Sequence, residues 1–264
     1  MDLKISGRNA LVTGSTSGIG FAIAKGLAAE GAAVTITGRT QARVDAALAQ
    51  IRAALPHASL HGIAADCATA AGVAQVCAAL PRADILVNNL GIYERKPFFD
   101  IPDEDWSRMF DVNVLSGVRF ARHYAPPMRD AGWGRILFVS SESGLNIPRE
   151  MIHYGMSKTA QLAITRGLAI ELAGTGVTVN ALLPGPTHTD NTDHLRAERA
   201  RAAGKTVAEI ESDIFVTFRP TSLVRRIASA DEVANLAVYL CGDGASMTSG
   251  AAMRCEGGIV NQIM

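Results

Sequence analysis

The chain has 264 residues, with 25 Lys plus Arg against 25 Asp plus Glu, so its formal net charge is zero. That balance removes the basic field that nucleic acid or an anionic membrane surface requires. Its 48% hydrophobic content against 19% charged argues against disorder, and 25 Gly with 10 Pro are too few for a low-complexity or collagen-like chain.

The first eight residues, Met1 to Arg8, carry no apolar stretch ahead of a small-residue cleavage site, and no later window approaches the roughly 18 apolar residues of a membrane span. The sequence therefore points to a cytoplasmic protein without membrane contact. A first β-branched run, Ala10-Leu11-Val12-Thr13, leads into a glycine-rich turn and a helix over 18–30 that Gly31 closes. Val34-Thr35-Ile36-Thr37 follows, then a helix over 41–55 ended by Pro56. Further strand-like runs stand at Ile85-Leu86-Val87, Ile136-Leu137-Phe138-Val139, Val177 to Leu183 and Ala251 to Arg254.

The first four runs are almost wholly apolar rather than alternating, as strands covered on both faces are. Repeated β then α implies right-handed crossovers, hence a doubly wound parallel α/β sheet, Rossmann-like, of about seven strands. No linker or repeat divides residues 1–264, so one domain is expected. Only 190–229 breaks the rhythm: strands stop, six acids mix with seven bases, and the stretch reads as a helical insertion acting as a substrate lid.

The turn after the first strand is Gly14, Ser15, Thr16, Ser17, Gly18, Ile19, Gly20. Glycines permit positive φ and let the backbone approach a pyrophosphate, while the helix N-terminus offers unpaired N–H groups. The spacing is G-x-x-x-G-x-G, and its place between strand and helix predicts a dinucleotide site. At the end of the second strand, where an acid would read a ribose 2′-hydroxyl, the chain has Gly38 and Arg39, which favours NADP(H) over NAD(H).

Tyr154 and Lys158 stand at i and i+4, so both project from one helix face. A nearby ammonium favours the phenolate and suits tyrosine to acid–base work. Ser140-Ser141 ends the strand at 136–139, and Asn113 lies in Asp111-Val112-Asn113-Val114. With Thr13-Gly14-x-x-x-Gly18-x-Gly20, Asp66, Asn88-Asn89-Leu90-Gly91 and Pro184-Gly185, in this order and spacing, the chain resembles the short-chain dehydrogenase/reductase family almost end to end.

The resemblance implies Tyr154 as general acid/base, Ser141 as partner of the substrate oxygen, and Lys158 as tuner of Tyr154 and ligand of the nicotinamide ribose. It implies that Asn113 holds a water relaying protons to Lys158. Asp66 would sit against the adenine and Asn89 beside the adenosine ribose and the central strands, with Cys67 and Gly91 also among the cofactor-binding residues. Past Pro184 and Gly185, Thr187 and Thr189 would meet the nicotinamide carboxamide and the pyrophosphate. Ser141 is preferred to Ser140 because the family's serine stands thirteen residues before its tyrosine.

The implied reaction is NADP(H)-dependent interconversion of a small carbonyl compound and a secondary alcohol. Alternatives are NAD-dependent oxidation of a sugar, polyol or steroid-like alcohol, 3-oxoacyl-thioester reduction, and a dinucleotide-sensing protein without chemistry. Gly174-Thr175-Gly176 lacks the basic residues expected for a carrier-protein substrate, although Arg129 offers one contact. Leu90, Glu142 and Glu256 depart from the family pattern. Glu142 is either solvated, paired with Arg149, or part of the pocket wall. Residues 142–151, Phe215 and Phe218 are the candidate substrate contacts. Cys67, Cys77, Cys241 and Cys255 form no CxxC pair, and His153 and His188 lack a second ligand at metal spacing, so no metal is expected. Homotetramers or homodimers, pairing the helices around 102–130 and 153–173 and the last strand, are implied by the resemblance alone.

Overall fold

The computed structural model describes residues 2–263. Its seven strands are β1 (Asn9–Val12), β2 (Ala33–Gly38), β3 (Leu60–Ala64), β4 (Ile85–Asn88), β5 (Gly134–Val139), β6 (Val177–Pro184) and β7 (Ala252–Cys255). They form one sheet in the order β3-β2-β1-β4-β5-β6-β7, with every pairing parallel. The order reverses between β1 and β4, and a crevice opens there beyond the carboxyl ends of the strands.

Apolar runs suit this sheet because alternate side chains feed opposite layers. Ala10 and Val12 join one core with Ile85 and Val87, while Leu11 and Leu86 join the other. The first core is closed by α1 (Gly18–Ala29), α2 (Gln41–Ala54) and α9 (Ala230–Leu240), which contribute Ile23, Leu27, Ile51 and Val233. The second is closed by α3 (Ala70–Ala79), α5 (Ser116–Asp130) and α6 (Ile152–Glu171), with Val76, Phe120 and Tyr124 at its centre and Ile164 packed against it.

Two irregularities bear on function. Between α4 (Asp103–Phe110) and α5 the chain widens into a π-turn over Asp111–Leu115, which carries Asn113. Such a turn offsets the backbone hydrogen bonds and releases carbonyls for other partners. The stretch 190–229 is helical only in its first part: α7 (Asp190–Ala203), α8 (Val207–Asp213) and a π-turn over Ile214–Phe218, followed by irregular chain to α9. Its helices are locally specified, since Thr189 and Thr206 each form a capping box and Gly204 ends α7 at φ +64°.

Candidate active site

The glycine turn after β1 is held from beneath. Gly14 and Gly18 adopt φ of +61° and +59°, a region L side chains resist. Asn89 Nδ2 donates to the carbonyls of Thr13 (2.9 Å) and Gly14 (3.0 Å), and a Cβ on Gly20 would lie 2.3 Å from that nitrogen. Threonine or serine caps α2, α3, α7, α8 and α9, but no side chain caps α1. The first-turn N–H groups of Gly18, Ile19 and Gly20 thus lack a side-chain cap, as a diphosphate cradle requires. Thr189 closes the far side, with its methyl 3.1 Å from where a Gly18 Cβ would stand.

Not every residue of the turn offers its side chain. The Ser15 hydroxyl is buried, donating to Val12 O (2.6 Å) and accepting from Thr37 N (3.1 Å). Cys67 is buried too, its Sγ 3.6 Å from Thr37 Oγ1, and burial pushes its thiol pKa up. At both positions only main chain remains for a ligand. Thr16 packs against Gly38, where a Cβ would come within 2.4 Å of its methyl group. Asp66 Oδ1 accepts from Ala68 N (3.2 Å) in an exposed turn. Arg39 is exposed at the end of β2 and makes no salt bridge among the described residues.

Ile19, Asn89, Gly91, Ser141, Tyr154, Lys158, Pro184, Gly185, Thr187 and Thr189 line one cleft of about 640 Å³. Gly14 to Gly18, Arg39, Asp66 and Cys67 lie outside it, along the neighbouring end of the sheet. Tyr154 and Lys158 reach the cleft from α6, and Ser141 from the end of β5. Burial pushes the Tyr154 phenol up to about 12, with the neighbouring Ser141 hydroxyl opposing the rise. Lys158 is brought down to about 7 by burial. Lys158 Nζ stands 5.6 Å from the centroid of the Tyr154 ring.

Lys158 Nζ donates to Val139 O (2.9 Å) and to Gln161 Oε1 (3.2 Å). Gln161 Nε2 in turn donates to Asn113 O (2.7 Å), the carbonyl presented by the π-turn. Besides the water that the resemblance implies between Asn113 and Lys158, the Gln161 amide links the Asn113 carbonyl to Nζ directly. Asn113 is buried behind the cleft, its side chain clamping Ile92 by Oδ1 to N (2.7 Å) and Nδ2 to O (2.9 Å). Gln161 was missed in the sequence, although its i+3 spacing from Lys158 was a usable signal.

Glu142 is neither solvated nor paired with Arg149. It is buried and bonded to Arg219, with Nε and Nη2 both 2.7 Å from Oε1, and burial raises its pKa while the guanidinium opposes the rise. Phe218 lines the cleft, whereas Phe215 is buried away from it. Of 142–151, Glu142, Ser143 and Met151 reach this cleft, and Asn146 to Glu150 border a separate cavity. Arg95, on the irregular chain after β4, and Arg196 and Arg199, on α7, also line the cleft; the sequence does not distinguish them from the other bases around them. No group of three His, Cys, Asp or Glu able to hold a metal occurs among the described residues, and none of their helices is long and apolar enough to cross a membrane.

Comparison with known proteins agrees with this geometry. Residues 8–200 match the family model described as short chain dehydrogenase. The chain is 44% identical to the oxidoreductase YvrD of Bacillus subtilis over the full length of both. It is 35% identical to a D-beta-hydroxybutyrate dehydrogenase of Cupriavidus necator, covering 98% of this chain and all of that one. Among solved structures it resembles L-sorbose reductase from Gluconobacter frateurii, crystallised with NADPH and L-sorbose, at TM-score 0.93 and 30% identity across the whole of both chains. The match spans both the sheet and the residues gathered at its carboxyl edge, and the chain belongs to the short-chain dehydrogenase/reductase family as an NAD(P)-dependent oxidoreductase.

Proposed function

We propose that the chain is an NADP(H)-dependent reductase of a small carbonyl compound, reversible with the secondary alcohol, in which Tyr154 gives and takes the proton. The observation that carries this reading is the phenol of Tyr154 beside Ser141 in the cleft, held in its protonated form across neutral pH by burial up to about 12. A group in that state is an acid, matched to the oxygen that acquires negative charge during reduction.

When bound, the nicotinamide cofactor exchanges a hydride with the substrate carbon. The uncapped N-terminus of α1 and Thr189 would hold its diphosphate, and Lys158, Gly91 and Thr187 would border its nicotinamide half. Arg39 favours the 2′-phosphate form, as a planar guanidinium at the end of β2 with no carboxylate partner among the described residues. The NADPH in the L-sorbose reductase structure supports the same choice.

Ser141 would hold the substrate oxygen while Tyr154 protonates it. Lys158 would return a proton to Tyr154, since an amine near 7 exchanges readily at neutral pH. Gln161 acts as a positioning residue, fixing Nζ against Val139 and tying it to the π-turn. The exposed apolar residues Ile170 on α6 and Met247 ahead of β7 support a homotetramer or homodimer paired through those surfaces.

The test is Tyr154→Phe, assayed with NADPH and a panel of small ketones. NADPH binding, followed by nicotinamide fluorescence, is expected to stay within a few-fold of wild type while kcat falls about 10²- to 10⁴-fold. A variant that keeps wild-type kcat would end this reading.

A further inference from the structure

We propose, on the basis of the carbonyl-reductase reading above, that the substrate carries a carboxylate and that Arg95 and Arg199 bind it at the mouth of the cleft. The cleft wall holds more charge than a neutral ketone needs, and about half of its charged groups are paired internally. Arg219 is bonded to Glu142 at 2.7 Å. Arg196 is bonded to Asp193 and lies 3.3 Å from Glu211. Glu94 is held by Arg108 at 2.6 Å, while Glu198 has only the imidazole of His194 beside it, at 3.2 Å. Two guanidiniums are left over. Arg199 has no carboxylate partner among the described residues, and Arg95 has only Glu150 at 3.9 Å, the loose limit of an ion pair.

These two guanidiniums converge rather than disperse. Both stand against one ring, with Arg95 Cζ 5.3 Å and Arg199 Cζ 5.8 Å from the centroid of Phe218, which lines the cleft. They arrive from separate segments: Arg95 follows β4, and Arg199 projects from α7. Like charges are brought together at some cost, and Arg199 and Arg219 both lower the Arg95 pKa, adding to the effect of burial. An anion between them would reverse that repulsion.

Position and charge then select the ligand. Arg95 lies two residues beyond Tyr93, whose ring meets Tyr154 edge-on at 6.3 Å, so an anion at the arginines stands beside the proton donor rather than on it. Two free guanidiniums less the Glu198 carboxylate leave about one unit of positive charge beside Phe218, suited to a carboxylate monoanion more than to a phosphate dianion. An oxo acid, or the matching hydroxy acid, is the class that presents its carbonyl to Ser141 and Tyr154 and its carboxylate to the arginines.

The experiment measures binding to the NADP-loaded enzyme by calorimetry, using butanoate, pentanoate and hexanoate against their primary amides, with butyl phosphate as a third arm. Each carboxylate is expected to bind at least tenfold more tightly than its amide. Arg199→Ala and Arg95→Ala should each remove most of that difference, and raising the salt concentration should shrink it. Equal binding of acid and amide would overturn the proposal, as would arginine variants that keep the difference, and tighter binding of butyl phosphate would overturn the choice of carboxylate. Kinetics with oxo acids of four to six carbons and their methyl esters separates this from the parent reading. Esters reduced as well as acids would refute carboxylate recognition and leave the reductase standing. Carboxylate binding with no ketone, acid or ester reduced would refute the reductase and keep the anion site.

Discussion

Replacing Gln161 by leucine separates positioning from packing at Lys158. The two side chains are close in volume, and Gln161 is buried, so the loss is of hydrogen bonds rather than of space. On one side Lys158 Nζ loses the acceptor at 3.2 Å and keeps only Val139 O. A hydrogen bond to a charged group contributes about 1.5–3 kcal/mol. At about 1.4 kcal/mol per unit, the ammonium should release its proton about one to two pH units lower than in wild type. The alkaline limb of kcat against pH, where the ammonium is lost, should therefore move down by that amount. On the other side the Asn113 carbonyl loses its 2.7 Å donor, which costs roughly 1–3 kcal/mol of stability, or several degrees in Tm. Gln161→Glu is the control of opposite sign, since a carboxylate beside Nζ should move the alkaline limb up. The assay is steady-state kcat from pH 4 to 10 with saturating NADPH, alongside thermal melts. A lowered Tm with a pH profile superimposable on wild type in both variants would reduce Gln161 to a packing residue and refute the reasoning.

Arg39→Ala should lower kcat/KM for NADPH relative to NADH by about tenfold or more, the value of one charge-assisted hydrogen bond; an unchanged ratio would make Arg39 a bystander. Lys158 sits at about 7 in the folded chain and near ~10.4 unfolded, so between those values the unfolded chain binds more protons and stability rises with pH. Lys158→Met lacks that cost, so its Tm relative to wild type should be highest below pH 7 and decline toward pH 10, whereas a difference independent of pH would contradict a buried, charge-shifted lysine. Arg219→Met strands a buried Glu142 carboxylate and should destabilise the fold by about 3–5 kcal/mol in urea unfolding, with Glu142→Gln added to it recovering much of the loss. Strictly additive effects would mean that the two groups do not interact.

Legibility in the sequence follows the range over which each feature is determined. The strands could be read because a sheet covered on both faces needs apolar side chains at every position, as Ile85-Leu86-Val87 divides between the two cores. The cradle could be read because positive φ at Gly14 and Gly18 is a requirement met within a few residues. Tyr154 and Lys158 could be read because helical spacing places them on one face. What escaped is what depends on distant chain. Glu142 finds Arg219 across 77 residues, and no local pattern distinguishes that partner from Arg149. The inward turn of Lys158 depends on the π-turn at Asp111–Leu115, 48 residues before Gln161. The Ser15 and Cys67 side chains face inward because each is bonded to Thr37 of the neighbouring strand.

This division has a functional consequence. The cofactor half of the cleft is made of strand ends and helix starts, whose backbone geometry dictates residue type, so its chemistry is written locally. The remaining wall is made of 92–95, α7 and the π-turn at 214–218, where nothing local says which side chains will face the cleft. Arg95 and Arg199 meet at Phe218 only because the sheet fixes where β4 ends and where α7 begins. Reaction class was therefore accessible from the sequence, whereas the proposed carboxylate site became visible only when the fold had brought those segments to a common ring.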